Sequence, residues 1–353
     1  MDGQPRQSNR EPASPGVPAI DPAAWYADDM LKTDEWIYTL SKAEIGELLN
    51  AVGSAETQGI PIKDFSRENF PLPVFGPVLD EIYQELTEGR GFILIRGLPV
   101  ADITRAQAGA AFYGMGTYLG RAVSQNPMGH VLGHVKDMGK DYDDPMARGY
   151  QTAAQMAFHS DQCDYVGLLC LQPSKSGGES LIVSSTTCYN EMCKRRPDLA
   201  KALCKDFYFT KHGEVKSGED PWYRMPVVAI HEGHVSIRGA GAHVRKAQGL
   251  PGVPPFSDAD KDALKLFQEL ATELAMPMEF QQGDIQLLHN HVMLHTRTAF
   301  EDYPEPDRKR HLMRLWLTDP AGRPTPPGFR DSISGIEVDG TVLTAPLDMT
   351  EAE

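Results

Sequence analysis

Short apolar runs separated by glycine, proline and aspartate dominate the chain from residue 164 onward. The runs are "DYVGLLCLQ" (164–172), "GESLIVSS" (178–185), "VVAIHEGHVSIRG" (227–239), "DIQLLHNHVMLH" (284–295) and "HLMRLWLT" (311–318). Short strands with turn residues between them are typical of a β-sandwich or barrel of the jelly-roll kind. We therefore expect a jelly-roll core. Within the third run, Glu232 and Gly233 are expected to form the turn of a hairpin.

Three segments outside the predicted core strands have the sequence patterns of helices. Ser41 and Glu44 form a capping box, which predicts a helix that ends at Gly53. Further helices are expected over "PVLDEIYQELTEGRG" (77–91) and over "SDADKDALKLFQELATELA" (257–275), where Ser257 is the cap. "GFILIRGLP" (91–99) has the composition of a short buried strand. The predicted class is α+β, a jelly-roll core with flanking helices.

The chain is expected to form one catalytic domain with a tail at each end. Residues 1–22 are rich in Pro, Ser, Gln and charge, and such a composition buries too little apolar surface to offset the entropy cost of ordering. We expect them to be a disordered N-terminal tail. Residues 23–332 are predicted to be a single catalytic domain with a helical N-terminal flank. Residues 333–353, apolar around Val342 and Leu343, are expected to fold back over a pocket mouth as a lid.

Charge and cysteine usage limit the partners of the protein. The formal net charge of −15 argues against a nucleic-acid partner, because such proteins usually carry a basic stripe. The chain has neither a secretory apolar region near its start nor an apolar run of about 18 residues, so no membrane partner is expected. The five cysteines are odd in number and lack CxxC pairs, which indicates reduced thiols and a cytoplasmic protein. We expect a small-molecule substrate and leave self-association into a homo-oligomer open.

The stretch "AFHSDQCDY" (157–165) places His159 and Asp161 two residues apart among small and apolar neighbours. In a strand, residues i and i+2 point to the same face, so these side chains would enter the core together. A divalent metal satisfies both of them. Two histidines and one carboxylate on one face of an octahedron are the arrangement used by non-haem Fe(II), so the pair requires a second histidine.

Three histidines in the fourth apolar run could supply the second imidazole. His289, His291 and His295 lie within one strand-like stretch and share a side by parity, so the residues alone do not choose among them. The following run places Arg310 and Arg314 four residues apart, on one face if this segment is a strand. A guanidinium in an apolar strand favours a bidentate carboxylate partner. A carboxylate cosubstrate beside an iron site is the natural inference.

The motifs "FHSD", "SGGESLIVSS", "HNHVMLHTRTAF" and "KRHLMRLWL", in this order, resemble the taurine dioxygenase family of Fe(II)- and 2-oxoglutarate-dependent oxygenases, the clavaminate-synthase-like group. The resemblance extends from about residue 91 to about residue 320. It implies a double-stranded β-helix core and a metal triad of His159, Asp161 and His295. It also implies Fe(II), O2 and the cosubstrate 2-oxoglutarate.

The resemblance further implies residues that hold the cosubstrate. Arg314 matches the arginine that binds the 5-carboxylate of 2-oxoglutarate, and Arg310 matches its companion near the 1-carboxylate. Ser180 lies where the family often has an assisting hydroxyl, and Asn290 matches an asparagine near the distal histidine. The link "EDYPEPDRK" between that histidine and the arginines is longer than usual, so the two arginines could exchange roles.

The activity implied is oxidation of an unactivated C–H bond, by hydroxylation, desaturation or ring closure, coupled to decarboxylation of 2-oxoglutarate. Because Asp161 fills the position that a small residue occupies in related halogenases, halogenation is not expected. An amino acid or an amino-acid-derived secondary metabolite is the preferred substrate. Two alternatives stay open: a metal-dependent hydrolase or isomerase that uses the same triad for a zinc-bound water, and a non-catalytic binding module.

Overall fold

The structure is a computed structural model that describes residues 9–139, 152–239 and 241–346. None of the helices in these ranges is long and apolar enough to cross a membrane.

Strands and helices alternate along the whole described chain. The strands are β1 (Ile37–Thr39), β2 (Phe92–Arg96), β3 (Arg121–Ala122), β4 (Leu132–Val135), β5 (Tyr165–Gln172), β6 (Ser176–Gly177), β7 (Ser180–Ser184), β8 (Asp206–Thr210), β9 (Trp222–Pro226), β10 (Val228–His231), β11 (His234–Ile237), β12 (Met276–Met278), β13 (Ile285–His289), β14 (Met293–Arg297), β15 (Phe300–Glu301) and β16 (His311–Thr318). The α-helices are α1 (Ala27–Met30), α2 (Lys42–Gln58), α3 (Gly76–Thr87), α4 (Arg105–Gly116), α5 (Ser185–Arg195), α6 (Pro197–Ala202), α7 (Ala242–Ala247), α8 (Asp258–Glu273) and α9 (Pro327–Asp331). Short 3-10 helices occur at Ile62–Asp64 and Pro306–Arg308. The observed class is mixed α and β.

The larger sheet carries its strands in the order β1-β2-β13-β5-β16-β3, and β4 pairs with β16 beside β3. All pairs except β1-β2 are antiparallel. Its strands are buried on both faces, and successive side chains alternate between two apolar clusters. In β2, Ile93 and Ile95 pack on the cluster that contains α2, α3 and α4, whereas Phe92 and Leu94 pack on the other. The helices therefore cover one face of this sheet.

A smaller antiparallel sheet, in the order β12-β7-β14, lies across the second cluster. This cluster joins Leu312 and Trp316 of β16 to Ile182 of β7 and Met293 of β14, so its apolar side chains fill the space between the two sheets. A third cluster, which includes residues of α5, α6 and α8, packs against Val183 and Leu294 on the far side of the smaller sheet. The layers are helices, larger sheet, smaller sheet and helices.

Several predicted elements are confirmed. Helix α2 begins with the predicted capping box, in which Ser41 Oγ accepts from Glu44 N. It continues past Gly53, however, and ends at Gly59 with φ of 65°. The prediction that Gly53 ends this helix is wrong, because a glycine in a helix interior costs only about 1 kcal/mol, which tertiary packing outweighs. Helix α8 begins after Ser257 as expected.

The predicted hairpin is confirmed too. Strands β10 and β11 pair with a two-residue turn in which Glu232 has φ of 48° and Gly233 has φ of 79°. Both positive angles are what a type I′ turn requires.

The fourth apolar run is not one strand. Its chain leaves the larger sheet after His289, turns at residues 290–292, and enters the smaller sheet at Met293. The prediction of one strand-like stretch from 284 to 295 is therefore wrong, and the argument from parity among its three histidines does not apply. Asn290, a residue common in turns, begins this turn, but a single such residue inside a run of strand-forming residues was too weak a signal to predict it.

The N-terminal segment is packed on the domain over its described part. Ala19 is buried, and Asp21 forms ion pairs with Arg10 at 2.8 Å and with the fully buried Arg323 at 2.7 Å. The prediction of a disordered tail over residues 1–22 does not hold for residues 9–22, because a few specific contacts outweigh their polar composition. Residues 1–8 lie outside the described ranges.

The C-terminal segment folds back along β4. Ile333 and Ile336 are buried, and the backbone of Thr344 hydrogen-bonds to Val131 and to Gly129. The side chain of Val342 is 70% exposed, and that of Leu343 is 39% exposed. The lid function of this tail stays a prediction, and residues 347–353 lie outside the described ranges.

Candidate active site

His159, Asp161 and His295 converge in the space between the two sheets. One nitrogen or oxygen atom from each lies within 4.8 Å of the others. The two histidines are joined by a pair of backbone hydrogen bonds, His159 N to His295 O at 3.0 Å and His295 N to His159 O at 2.9 Å, and their ring centroids are 4.4 Å apart. The Nε2 atom of His159 is 4.0 Å from Oδ1 of Asp161. The structure thus brings the predicted triad together.

The backbone of this segment differs from the prediction. His159 forms only an isolated bridge with β14, and Asp161 lies in the irregular segment before β5. The prediction that both residues belong to one strand is wrong, although their side chains still meet. The bridge to β14 orients His159, and hydrogen bonds from elsewhere in the fold orient Asp161.

Four residues that are distant in sequence hold Asp161. Trp316 Nε1 donates to its carboxylate at 2.8 Å, and Arg314 Nη1 lies 3.3 Å from the same oxygen. Its backbone N–H donates to Asn290 Oδ1 at 3.0 Å, and its backbone carbonyl accepts from Arg238 Nη1 at 2.7 Å. Such partners fix the orientation of a metal ligand.

The protonation states suit a divalent metal. Burial would raise the pKa of Asp161, but Arg314 and the two histidines hold it well below its usual range, so the group is a carboxylate. Burial lowers the pKa of His159 and lowers that of His295 to about 3, so both imidazoles are neutral. Nδ1 of His295 is buried without a hydrogen-bond partner in the described part of the chain. Two neutral imidazoles and one carboxylate fit Fe(II).

His289 and His291 lie away from this cluster. His291 Nε2 is 2.7 Å from Asp164 Oδ1, and the His289 ring packs edge-on against Tyr165 at 4.9 Å. Both are buried, and neither lines the cavity that contains the triad. Their roles in the described part of the structure are packing and hydrogen bonding.

A cavity of about 350 Å³ opens onto the triad. Arg310 and Arg314 both line it, together with Leu312 and Trp316. Residues 310, 312, 314 and 316 share a face because β16 has the two-residue period of a strand. The predicted placement of both arginines on one face is confirmed.

The two guanidinium groups differ in their surroundings. Arg314 Nε donates to Gln125 Oε1 at 2.8 Å, and its Nη1 contacts Asp161. Arg310 is 4% exposed, and its backbone N–H donates to Asp302 Oδ1 at 2.7 Å. Its guanidinium packs 5.2 Å from the Phe300 ring centroid and forms no hydrogen bond or ion pair with the described residues. Burial lowers the pKa of Arg310 although the Asp302 carboxylate is near, so this guanidinium is suited to a directly bound anionic ligand.

Ser180 also lines the cavity. Its Oγ accepts a hydrogen bond from Gln286 Nε2 at 3.0 Å, which leaves its own proton available for donation. Sequence reasoning assigned no role in the site to Trp316, Arg238 or Gln125. Nothing local distinguishes these residues from core residues, because each acquires its role through a contact across more than 70 positions of the chain.

Comparisons with known proteins agree on one family. Residues 57–316 match the family model described as taurine catabolism dioxygenase TauD, TfdA family. The chain is 30% identical over 314 residues to FR-33289 synthase of Streptomyces rubellomurinus, covering 88% of this chain and 93% of that protein. It is 29% identical over 323 residues to the taurine hydroxylase-like protein SAT17 of Stachybotrys chartarum, covering 88% and 82%.

Solved structures share the fold at low identity. An asparagine oxygenase in complex with Fe(II), 3-hydroxyasparagine and succinate superposes with a TM-score of 0.61 and 18% identity, covering 81% of this chain and 94% of that one. The non-haem iron oxygenase OrfP in complex with iron and alpha-ketoglutaric acid gives a TM-score of 0.59 and 14% identity, covering 80% and 94%.

Proposed function

Because the chain belongs to the TauD/TfdA family of Fe(II)- and 2-oxoglutarate-dependent dioxygenases, we propose that it uses His159, Asp161 and His295 to hold iron and oxidise a small molecule. The observation that carries this proposal is the combination, in one cavity, of the three converging side chains and the buried, unpartnered guanidinium of Arg310. A 2-oxoglutarate molecule bound to iron requires a metal site and a cation for its distal carboxylate in the same cavity, and both are present here.

The same proposal extends to the fold and the domain. The larger and smaller sheets, with an apolar core between them, support a double-stranded β-helix. We take residues 23–332 as its single catalytic domain. The cysteines lie in described segments and are unpaired, which supports a cytoplasmic location.

When bound, Fe(II) supplies the activation of O2 that couples decarboxylation of 2-oxoglutarate to oxidation of a C–H bond. The protein's residues position the reactants and exclude water. Trp316 and Arg314 fix the carboxylate of Asp161, which would otherwise turn toward other donors. Because Asp161 occupies its ligand position, the outcome is hydroxylation, desaturation or cyclisation and not halogenation.

The surroundings of the two arginines favour an exchange of their cosubstrate roles. Arg314 already contacts Asp161 and Gln125, whereas Arg310 has a guanidinium available for a bidentate carboxylate. We assign the 5-carboxylate of 2-oxoglutarate to Arg310, with the hydroxyl of Ser180 as a second donor. Arg314 then serves to hold the carboxylate of Asp161.

An amino acid or an amino-acid-derived secondary metabolite remains the preferred substrate. The structures that share the fold include enzymes bound to 3-hydroxyasparagine and to (3S)-hydroxy-L-Arg. Their identities to this chain are below 20%, so they support the substrate class through the fold and not through matched residues.

The test is an anaerobic titration of purified protein with Fe(II) and 2-oxoglutarate. The expected result is the weak visible charge-transfer band of the iron-keto acid complex, lost in His159→Ala and retained in His291→Ala, a matched buried histidine outside the triad. Succinate release is then screened against a panel of amino acids. Absence of the band together with tight zinc binding would contradict the proposal and favour the hydrolase alternative.

A further inference from the structure

The wall of the cavity is basic although the protein is acidic. The chain has a formal net charge of −15, yet its cavity is lined by six Arg or Lys residues and only two carboxylates, Asp161 and Glu214. Contacts already described account for Arg314 and Arg238, Arg310 is assigned to the cosubstrate, and Arg297 donates to the backbone carbonyls of residues 152 and 154. Arg245 and Lys246, both on α7, remain without a role in the reaction.

Helix α7 begins directly against the metal-ligand segment. A side chain at Gly241 would meet the carbonyl of Phe158 at 3.4 Å and Cβ of His159 at 3.9 Å. Gly239 N donates to Ser160 Oγ at 3.1 Å, which ties the preceding loop to the same segment. Because a helix rises 1.5 Å per residue, Arg245 lies about 6 Å, or one helical turn, along α7 from Gly241. Arg245 and the triad line the same cavity.

Two histidines stand beside these cations. The rings of His212 and His243 meet edge to face with centroids 4.3 Å apart, and both line the cavity. His212 has φ of 52° and Gly213 has φ of 78°, the two positive angles of a tight turn closed by the hydrogen bond from Glu214 N to Lys211 O at 2.9 Å. This turn after β8 holds the imidazole of His212 against His243 of α7.

We propose that His212, His243, Arg245 and Lys246 form a subsite for an oxyanion group of the substrate. The shared chemistry is a compact oxyanion: a carboxylate, or a tetrahedral sulfonate or phosphonate. Binding there leaves the carbon chain of the substrate to extend toward His159 and Asp161, where a C–H bond is oxidised. This inference rests on the proposed function, because it takes the cavity as the substrate site.

Field strength and geometry both support this assignment. Two adjacent cations in a partly enclosed cavity raise the local concentration of anions, and the low-dielectric walls weaken screening by solvent. Arginine presents several N–H donors in one plane, lysine presents the three donors of an ammonium group, and each imidazole presents a single N–H donor. Several donors in the wall of one cavity suit an anion with two or three equivalent oxygens better than a neutral group.

The experiment uses four small probes that each carry one methyl group: methylphosphonate, methanesulfonate, acetate and neutral acetamide. Their methyl proton relaxation is measured with anaerobic protein loaded with Fe(II) and 2-oxoglutarate. At least one anion is expected to bind saturably, and acetamide is not. The anion that binds most tightly distinguishes a planar carboxylate from a tetrahedral group.

Substitutions of Arg245 and Lys246 test whether the anions bind at α7. In Arg245→Gln/Lys246→Gln, anion affinity is expected to fall roughly tenfold, because each partly exposed ion pair contributes up to about 1 kcal/mol. The conservative Arg245→Lys/Lys246→Arg should retain most of it. Arg121→Gln/Lys265→Gln removes the same charge away from the cavity and should leave affinity unchanged. Because Arg245 and Lys246 are exposed, the variants should fold, and thermal denaturation checks this.

The outcomes separate the two proposals. If the charge-transfer band forms but no anion binds, or if the double glutamine variant binds anions as tightly as the parent, the subsite is refuted and the proposed function stands. If the band never forms while the anions bind through α7, the subsite stands and the proposed function fails.

Discussion

Substitution of Arg310 by glutamine tests the assignment of the cosubstrate carboxylate. Arg310 is 4% exposed and lines the cavity, and its guanidinium forms no ion pair with the described residues. Glutamine preserves much of the apolar stem but removes the charge and the fork of donors. Arg314→Gln is the matched control, because it removes the same group from the same face of β16.

The expected loss follows from the burial of the pair. Removing one partner from a buried, hydrogen-bonded charge pair costs about 2–5 kcal/mol. At 1.4 kcal/mol per factor of ten, the Kd for 2-oxoglutarate should rise roughly 30- to 4,000-fold in Arg310→Gln. Arg314→Gln instead removes a contact of Asp161, so it should weaken Fe(II) binding more than it weakens the binding of 2-oxoglutarate to the iron-loaded protein.

In the absence of ligands, Arg310→Gln should not lower the thermal stability of the protein. Burial lowers the pKa of Arg310, which means that folding disfavours its charged form when no anion is bound. Because the folded-state pKa is depressed for a base, the charged group destabilises the fold at neutral pH. Arg310→Gln should therefore leave the Tm of ligand-free protein unchanged or higher. Addition of 2-oxoglutarate to the Fe(II)-loaded protein should raise the Tm of the parent much more than that of the variant.

The assay is an anaerobic titration of iron-loaded protein with 2-oxoglutarate, followed by its visible charge-transfer band, with thermal denaturation in parallel. If Arg310→Gln binds 2-oxoglutarate with the parent affinity while Arg314→Gln loses it, the reasoning from unpartnered burial is wrong. The 5-carboxylate would then belong to Arg314, as the family resemblance first implied.

Three further predictions concern the support of the site and the fold. Trp316→Phe removes the 2.8 Å hydrogen bond to Asp161 and should weaken Fe(II) binding roughly tenfold or more, as measured by metal titration. Unchanged affinity for Fe(II) would show that Trp316 does not support the metal ligand. Burial alone would raise the pKa of Asp164, but hydrogen bonds and nearby cations lower it from 3.8 to about 2, so it contributes stability above pH 4 that is lost as pH falls toward 2. Between pH 2 and pH 4 the free energy of unfolding of the parent should therefore rise by about 2 kcal/mol more than that of Asp164→Asn, measured by urea denaturation at several pH values. Deletion of residues 1–22 leaves the buried Arg323 without its carboxylate partner and should destabilise the protein by about 3–5 kcal/mol, whereas a disordered tail would be removed without effect.

The strands and the triad could be predicted because their signals are local. Short apolar runs bounded by turn residues indicated the strands, and β5, β7 and β16 lie where those runs do. The H-x-D pair indicated metal binding because imidazole and carboxylate groups are themselves metal ligands. The distal histidine, however, came from the family resemblance, since periodicity left three candidates.

Tertiary structure decided what local patterns could not. A turn at residues 290–292 sends His289 and His295 into different sheets, and its one turn-favouring residue, Asn290, did not suffice to predict it. The different surroundings of Arg310 and Arg314 depend on Asp161 and Gln125, which lie more than 140 residues away in sequence.

The sequence by itself determined which chemistry the chain carries and where several of its strands lie, because side-chain type and two-residue periodicity are properties of neighbouring residues. Only the tertiary structure decided how the imidazoles meet the carboxylate, which guanidinium lacks an ion pair, and that residues 9–22 pack on the domain. These depend on burial and on contacts between distant segments, which determine the cost of an unpaired charge and whether a polar segment is ordered.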